Sequence, residues 1–321
     1  MRVIEFHKYG SADELKIVER PRPVPGPGEV LIRIHASAVN SGDWRVRKAD
    51  PFLVRLFFGL RRPRAAARVL GSVLSGVVAE TGTDVHRFQP GDRVFGMSDL
   101  AMGCHAEYIC LPENAPITTG LESLSHAEAA SIPFGLHTAH HFLTPLSLQQ
   151  GNRLLVLGAS GAVGSAAVQL GKSLGCAVTA VTSTANIELV QSLGADQVLD
   201  YTRRSLADLK QSFDVIFASV DHYPVSSLRP LLKPGGQLVL VSAGIKDMLL
   251  APLRSLIWKC QIHTGVAAVS QELMTQFRGL IETGSFKPVL EKSYPMHAVA
   301  EAHRHAERGH KKGNIALCLV D

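Results

Sequence analysis

An α/β architecture, a doubly wound parallel sheet joined to a smaller β-rich domain, is what this 321-residue chain predicts, on three observations. From about Ser125 strands and helices alternate, which calls for a parallel sheet with helices on both faces. Ahead of that point, short segments of period-two polarity are broken by turn residues, the texture of a β-rich domain. Where the first strand of the alternating part runs into its helix, three glycines stand three residues apart.

The elements follow in order. GEVLIRIHASAVN alternates at period two after the stiff RPRPVPGPG, and QPGDRVFG and AEYICLPEN repeat the strand-and-turn pattern. Ser125 and Glu128 have capping-box spacing ahead of an apolar helix, AASIPFGLHTAHHFL. Strand LLVLG (154–158), a helix over 162–174 closed by Gly175, strand AVTAV (177–181), helix IELVQSL closed by Gly194 and strand QVLDY come next. DVIFASV (214–220), a helix toward Leu232, the turn KPGG and strand QLVLVSAG complete a Rossmann-type layout. After Ser270 come a helix, QELMTQFRGLIETG, then FKPVLEKSYP, a helix rich in Ala and His, and a last strand, IALCLV. Periodicity does not say which domain this tail joins, and no repeat of fixed period is present.

Composition bounds the function. At 34.6 kDa, 46% hydrophobic and 19% charged, without low-complexity tracts, the chain is globular and large enough for two domains. The most apolar run, residues 51–60, is cut by Arg55 and too short to cross a membrane, and MRVIEFHKYG alternates like a strand where a signal peptide would be apolar. A cytoplasmic protein is expected. Cys104, Cys110, Cys176, Cys260 and Cys318 are odd in number and lack CxxC spacing, which argues against a disulfide framework and a four-cysteine zinc lobe. Charge is uneven: residues 45–68 hold eight basic side chains (Arg45, Arg47, Lys48, Arg55, Arg61, Arg62, Arg64, Arg68) against Asp50, a balance of +7 in a chain of +5, so the remainder is −2. Such a patch suits an anionic ligand or nucleic acid better than general polyanion binding.

The sharpest motif is LLVLGASGAVGSAAVQLGK. Gly158 permits the tight turn, Gly161 lets backbone amides approach a pyrophosphate, and Gly164 allows close helix-to-strand packing, with Ser160, Ala162 and Val163 between them. An NAD site would place an acid at the end of the second strand, yet AVTSTANIE offers Thr182, Ser183, Thr184 and Asn186 and no carboxylate before Glu188. NADPH is therefore expected over NADH, although the turn holds no Arg or Lys.

GASGAVGSAAVQLGKSLGCAVTAVTST, with SLGADQVLDYT, DVIFASV, LKPGGQLVLVSAG, PGDRVFG and HAEY, resembles the medium-chain dehydrogenase/reductase superfamily in its zinc-free quinone oxidoreductase (zeta-crystallin-like) branch, over nearly the whole chain. The resemblance implies a GroES-like catalytic domain over 1–122 completed by 286–321, a Rossmann dinucleotide-binding domain over 123–285, and a homodimer. The positions that hold zinc in other relatives fall in VNSGDW (39–44) and LGSVLSG (70–76), which contain no Cys, His or Glu, so no zinc is expected. By position, Asn40 matches an amide beside the nicotinamide and substrate, Thr138 a threonine facing the nicotinamide, and Tyr201 a tyrosine near the adenosine phosphate. Val220, Val241, Ser242, Ala243, Gly313 and Asn314 fall on segments that touch the cofactor. Three departures stand out: Ala185 where relatives often have an arginine for the 2′-phosphate, Arg45 where some have an active-site tyrosine, and Asp221 in place of a glycine.

The expected activity is zinc-independent hydride transfer from NADPH to quinones or α,β-unsaturated carbonyls, with Asn40, Thr138 and Arg45 at the reacting centre. Trp44, Phe52, Phe57 and Phe58 are expected to line the substrate, the last three on an apolar lid within PFLVRLFFGLRRPRAAAR; MLLAPLRSLIWKC (248–260) offers a second wall. The alternative is a non-catalytic NADPH-binding protein that contacts RNA. His137, His140 and His141 lack a third metal ligand and read as structural, His303, His305 and His310 read as a polar helix face, and Cys104 beside His105 reads as strand packing.

Overall fold

The computed structural model describes residues 1–320, positions 99 and 245 by backbone alone. It comprises two compact units: Met1–Phe134, Val269–Thr283 and the stretch from Pro288 form one, Gly135–Ala268 and Gly284–Lys287 the other.

In the first unit β1 (Arg2–Glu5) pairs antiparallel with β2 (Lys16–Glu19). There follow β3 (Glu29–Ala38), α1 (Ser41–Lys48), α2 (Val54–Phe58), β4 (Val73–Thr81), β5 (Arg93–Met97), β6 (Tyr108–Pro112) and β7 (Ile117–Thr119). β3 is long because it is central: β4 pairs along one edge, and β6 and the final strand share the other. Its alternation is thus overlaid by burial on both faces, with Val30, Leu31, Ile32 and Ile34 all enclosed. The helix α3 (His126–Leu143) begins at the expected capping box: the Ser125 N–H and hydroxyl donate to Glu128 Oε2 (2.8 and 2.7 Å), and the Glu128 N–H returns to Ser125 Oγ at 3.2 Å.

The second unit alternates as predicted through β12: β8 (Arg153–Leu157), α4 (Ala162–Ser173), β9 (Ala177–Thr182), α5 (Ile187–Ser192), β10 (Gln197–Asp200), β11 (Phe213–Ala218), α6 (Val225–Leu228) and β12 (Leu232–Leu240); the helix α7 (Ile245–Trp258) and the strand β13 (Gln261–His263), which the sequence does not mark as such, complete it. The sheet is parallel throughout, in the order β10-β9-β8-β11-β12-β13, so strand order reverses between β8 and β11. Leu155, Leu157, Ile216, Leu238 and Leu228 build its core. KPGG, expected as a turn, is drawn into β12, whose register against β11 shifts between Phe213 and Val215.

Then come α8 (Gln271–Glu282), β14 (Leu290–Pro295), α9 (Val299–Glu307) and β15 (Asn314–Cys318). β15 runs antiparallel to β3 and parallel to β14, so the tail completes the first unit's seven-stranded sheet, as the family likeness implied. His303 departs from the expected polar face. It shares one side of α9 with Val299, Ala302 and Ala306, all buried, because those positions recur at helical spacing. No helix among the described residues is long and apolar enough to cross a membrane.

Candidate active site

At the reversal point of the parallel sheet β8 turns into α4. Gly158 adopts φ +74°, and a Cβ there would press on Val220 Cγ1 at 2.6 Å, so only glycine fits between β8 and the end of β11. A Cβ on Gly164 would come within 2.1 Å of the Gly158 carbonyl oxygen, whereas one on Gly161 would meet nothing closer than 3.5 Å. Gly161 is the N-cap of α4 and caps no amide with a side chain, leaving the first-turn N–H groups of Ala162, Val163 and Gly164 directed at whatever lies above the bend.

The residues expected at the cofactor in this unit gather along the same carboxyl edge, the edge at which open parallel sheets bind their ligands. Thr182 ends β9, Tyr201 follows β10, Val220 follows β11, and Val241, Ser242 and Ala243 follow β12. The Val241 N–H donates to Ala218 O (3.0 Å) and Ser242 Oγ to Ser219 O (3.3 Å). Asn186 Nδ2 donates to Ser160 Oγ (3.1 Å) and Ser183 Oγ (3.2 Å), tying the glycine bend to the turn after β9.

One residue escaped the sequence reading. Asp200 lies opposite Thr182 in the β10–β9 register, and its carboxylate accepts the Thr184 hydroxyl (2.5 Å), the Thr202 hydroxyl (2.7 Å) and the Thr202 N–H (2.9 Å). Those donors, the Thr184 hydroxyl foremost, hold Asp200 below the usual carboxylate range. An acid therefore does stand at the end of the second strand, contributed by its neighbour. The only signal in sequence was the register of VLDY. A cavity of about 400 Å³ close by is lined by Tyr201, Arg204, His222, Tyr223 and Leu231.

In the first unit Asn40 caps α1 and is 1% exposed. Its backbone N–H and that of Gly71 donate to Asp43 (2.7 and 2.9 Å), a fully buried carboxyl that burial pushes up. The Asn314 Nδ2 and N–H both donate to Val289 O (3.1 and 2.9 Å), next to Gly313 at the start of β15. Trp44 and Phe58 are half-buried against the core, and the Arg45 guanidinium lies 5.4 Å from the Trp44 ring centre. Phe52 and Phe57 are exposed. Thr138, in the second unit's part of α3, is buried. His137 Nε2 donates to Ala268 O (2.8 Å), in keeping with its structural reading.

The fit to a dinucleotide has an observable. Both polar side-chain atoms of Asn40, Thr182 Oγ1, Asn186 Oδ1 and Asn314 Oδ1 are buried without a hydrogen-bond partner among the described residues. Such atoms are rare in folded proteins; these fall at positions assigned to the cofactor and its acceptor, while others, at Glu5, Arg47, Arg68, Arg93, His105 and His303, lie elsewhere in the chain. Among the described residues no three His, Cys, Asp or Glu side chains converge. Cys104, whose thiol burial pushes up to about 12, donates to Ser98 Oγ (3.1 Å) and is no thiolate.

Comparison with known proteins gives two family matches, an alcohol dehydrogenase GroES-like domain over residues 26–119 and a zinc-binding dehydrogenase over residues 193–317. The chain is 32% identical to a chloroplastic quinone oxidoreductase of Triphysaria versicolor over 330 residues, covering 99% of this chain and 98% of the relative. It is 31% identical to a mitochondrial NAD(P)H oxidoreductase of Bos taurus, covering 98% and 88%. The solved quinone oxidoreductase of Coxiella burnetii superposes with a TM-score of 0.90 at 26% identity, covering 100% and 99%. Glycine bend, parallel sheet, GroES-like domain and full-length relatives agree: the chain belongs to the medium-chain dehydrogenase/reductase superfamily, in its quinone oxidoreductase branch, and is an oxidoreductase that works with a nicotinamide cofactor.

Proposed function

We propose that the enzyme is a zinc-independent, NADPH-dependent reductase of quinones or α,β-unsaturated carbonyls. The observation that carries this reading is Asn40, an amide buried at the N-cap of α1 whose Nδ2 has no hydrogen-bond partner among the described residues. A bound nicotinamide supplies the hydride. The chain's part is to hold, orient and polarise. Amides of the first turn of α4 bind the diphosphate, and Gly313 and Asn314 steady the cofactor's far end. Asn40 Nδ2 donates to the acceptor oxygen as it gains negative charge, Thr138 and Arg45 flank the reacting centre, and Trp44 with Phe58 form an apolar wall. An acceptor already activated by conjugation needs no metal to polarise it, which suits the poverty of metal ligands around Asn40.

NADPH is favoured by Arg203 and Arg204, which directly follow Tyr201 and Thr202 at the adenosine edge. Asp200 does not oppose this strongly, because its carboxylate is committed to two threonines. We assign the enzyme to the cytoplasm, where its five free cysteines remain reduced. We read it as a homodimer, since Leu249, Leu253 and Leu256 recur along one exposed face of α7 beside β13, the terminal strand of its sheet.

Oxidation of NADPH and NADH is to be followed over a panel of quinones, enones, aldehydes and simple alcohols. Turnover with quinones or enones, faster with NADPH, is the expected outcome; efficient reaction of simple alcohols with no quinone or enone turnover would overturn the assignment.

A further inference from the structure

Residues 52–60 form a surface knuckle with two opposed faces. Val54 and Phe58, one helical turn apart on α2, pack inward against the first unit's core. The outward face carries Phe52 (66% exposed), Leu56 (51%), Phe57 (74%) and Leu60 (60%), with Leu53 beside them. The knuckle is braced: Tyr9 donates its hydroxyl to Gly59 O (2.7 Å), the Arg64 N–H bonds Phe58 O (2.8 Å), Arg64 Nη2 donates to Leu56 O (3.0 Å), and Arg55 Nη1 to Leu60 O (3.4 Å). Arg61, Arg62 and Arg64 are exposed at its rim. An apolar crown of this size is thus held out to water by structure, not left loose.

We propose that this knuckle is a peripheral docking surface for an anionic lipid bilayer. The leucines and phenylalanines enter the boundary between headgroups and acyl chains, and the arginines pair with lipid phosphates. Charge selects this occupant. A second copy of the chain would oppose one arginine rim to another, and a nucleic-acid base could stack only on Phe52 and Phe57, which would leave Leu53, Leu56 and Leu60 of the same face uncovered, whereas the headgroup–acyl boundary takes all five. The inference is independent of the acceptor, and it gives Phe52 and Phe57 a task other than lining the substrate.

Flotation of the full chain with vesicles tests it, using phosphatidylcholine alone and phosphatidylcholine containing about a quarter phosphatidylglycerol. The protein is expected to float with the anionic vesicles only, and to be released as salt rises. Leu56→Ser/Leu60→Ser and Arg61→Glu/Arg62→Glu, all at exposed positions, should each lower the bound fraction roughly tenfold with unchanged melting curves. Absence of anionic-vesicle binding overturns the proposal. So does full binding by the leucine variant, since adsorption of a basic patch alone needs no insertion, and so does tighter retention on poly(U) RNA than on vesicles.

Discussion

The three glycines of the bend have separable duties, and single substitutions distinguish them. Gly164→Ala forces a methyl onto a backbone carbonyl, with no flexible neighbour to yield, and should destabilise the fold by about 3 kcal/mol or more in urea denaturation. Gly161→Ala has room in the protein itself. Its melting temperature should stay within a degree or two of the parent, while calorimetry records at least a roughly tenfold loss of NADPH affinity, because the added methyl meets the diphosphate and nothing else. Asn40→Ala removes the N-cap side chain of α1, so it should cost about 1 kcal/mol of stability while lowering kcat for quinones by roughly a hundredfold, far more than that loss of stability accounts for. Unaltered kcat would show that Asn40 does not act on the acceptor. Residues of this kind are legible in sequence because a glycine's constraint is local. Asp200 was not, since its position beside Thr184 comes from pairing between strands and not from distance along the chain.

Among elements, α3 offers the cleanest test of a local signal. Glu128→Ala deletes the acceptor for the Ser125 amide and hydroxyl and should lower stability by about 1 kcal/mol in chemical denaturation. A change below a few tenths would mean that tertiary packing alone holds the helix start. In the alternating part most strands and helices were visible to within a residue or two because their periodicities are strong, whereas the short helices α1 and α2, the strand β4 and the helix α7 were not read from the sequence. Three local departures share one cause, the pull of partners distant in sequence. β3 is paired along both edges by strands from elsewhere in the chain, KPGG is recruited into β12 by its neighbour β11, and α9 turns His303 inward because its apolar stripe includes that position.

For the molecule as a whole, that inward histidine links protons to folding. Burial first, then His105 and Arg47, keeps His303 well below the ordinary histidine range, so the folded chain leaves it neutral where the unfolded chain would charge it. Between its folded value and about pH 6.5 the unfolded state binds more protons, and stability falls as pH is lowered through that window, by up to about 1.4 kcal/mol per pH unit. Urea midpoints measured from neutral pH downward should show this slope, and His303→Leu should flatten it. A slope equally steep in the variant would assign the effect to other groups.

The interleaving of the two units also sets an order of events during synthesis. One unit is almost wholly contiguous, from Gly135, whereas the other awaits β15, the partner of β3. A nascent chain on the ribosome therefore holds the edge of β3 at Ala36, Ser37 and Ala38 bare until residues 314–318 have been made, about 280 residues later in the chain, reversing the usual amino-to-carboxyl sequence of domain maturation. Any chain stopped before Asn314 would leave that sticky strand permanently uncovered, so a stop codon between α9 and β15 should yield inclusion bodies instead of a slightly shortened enzyme.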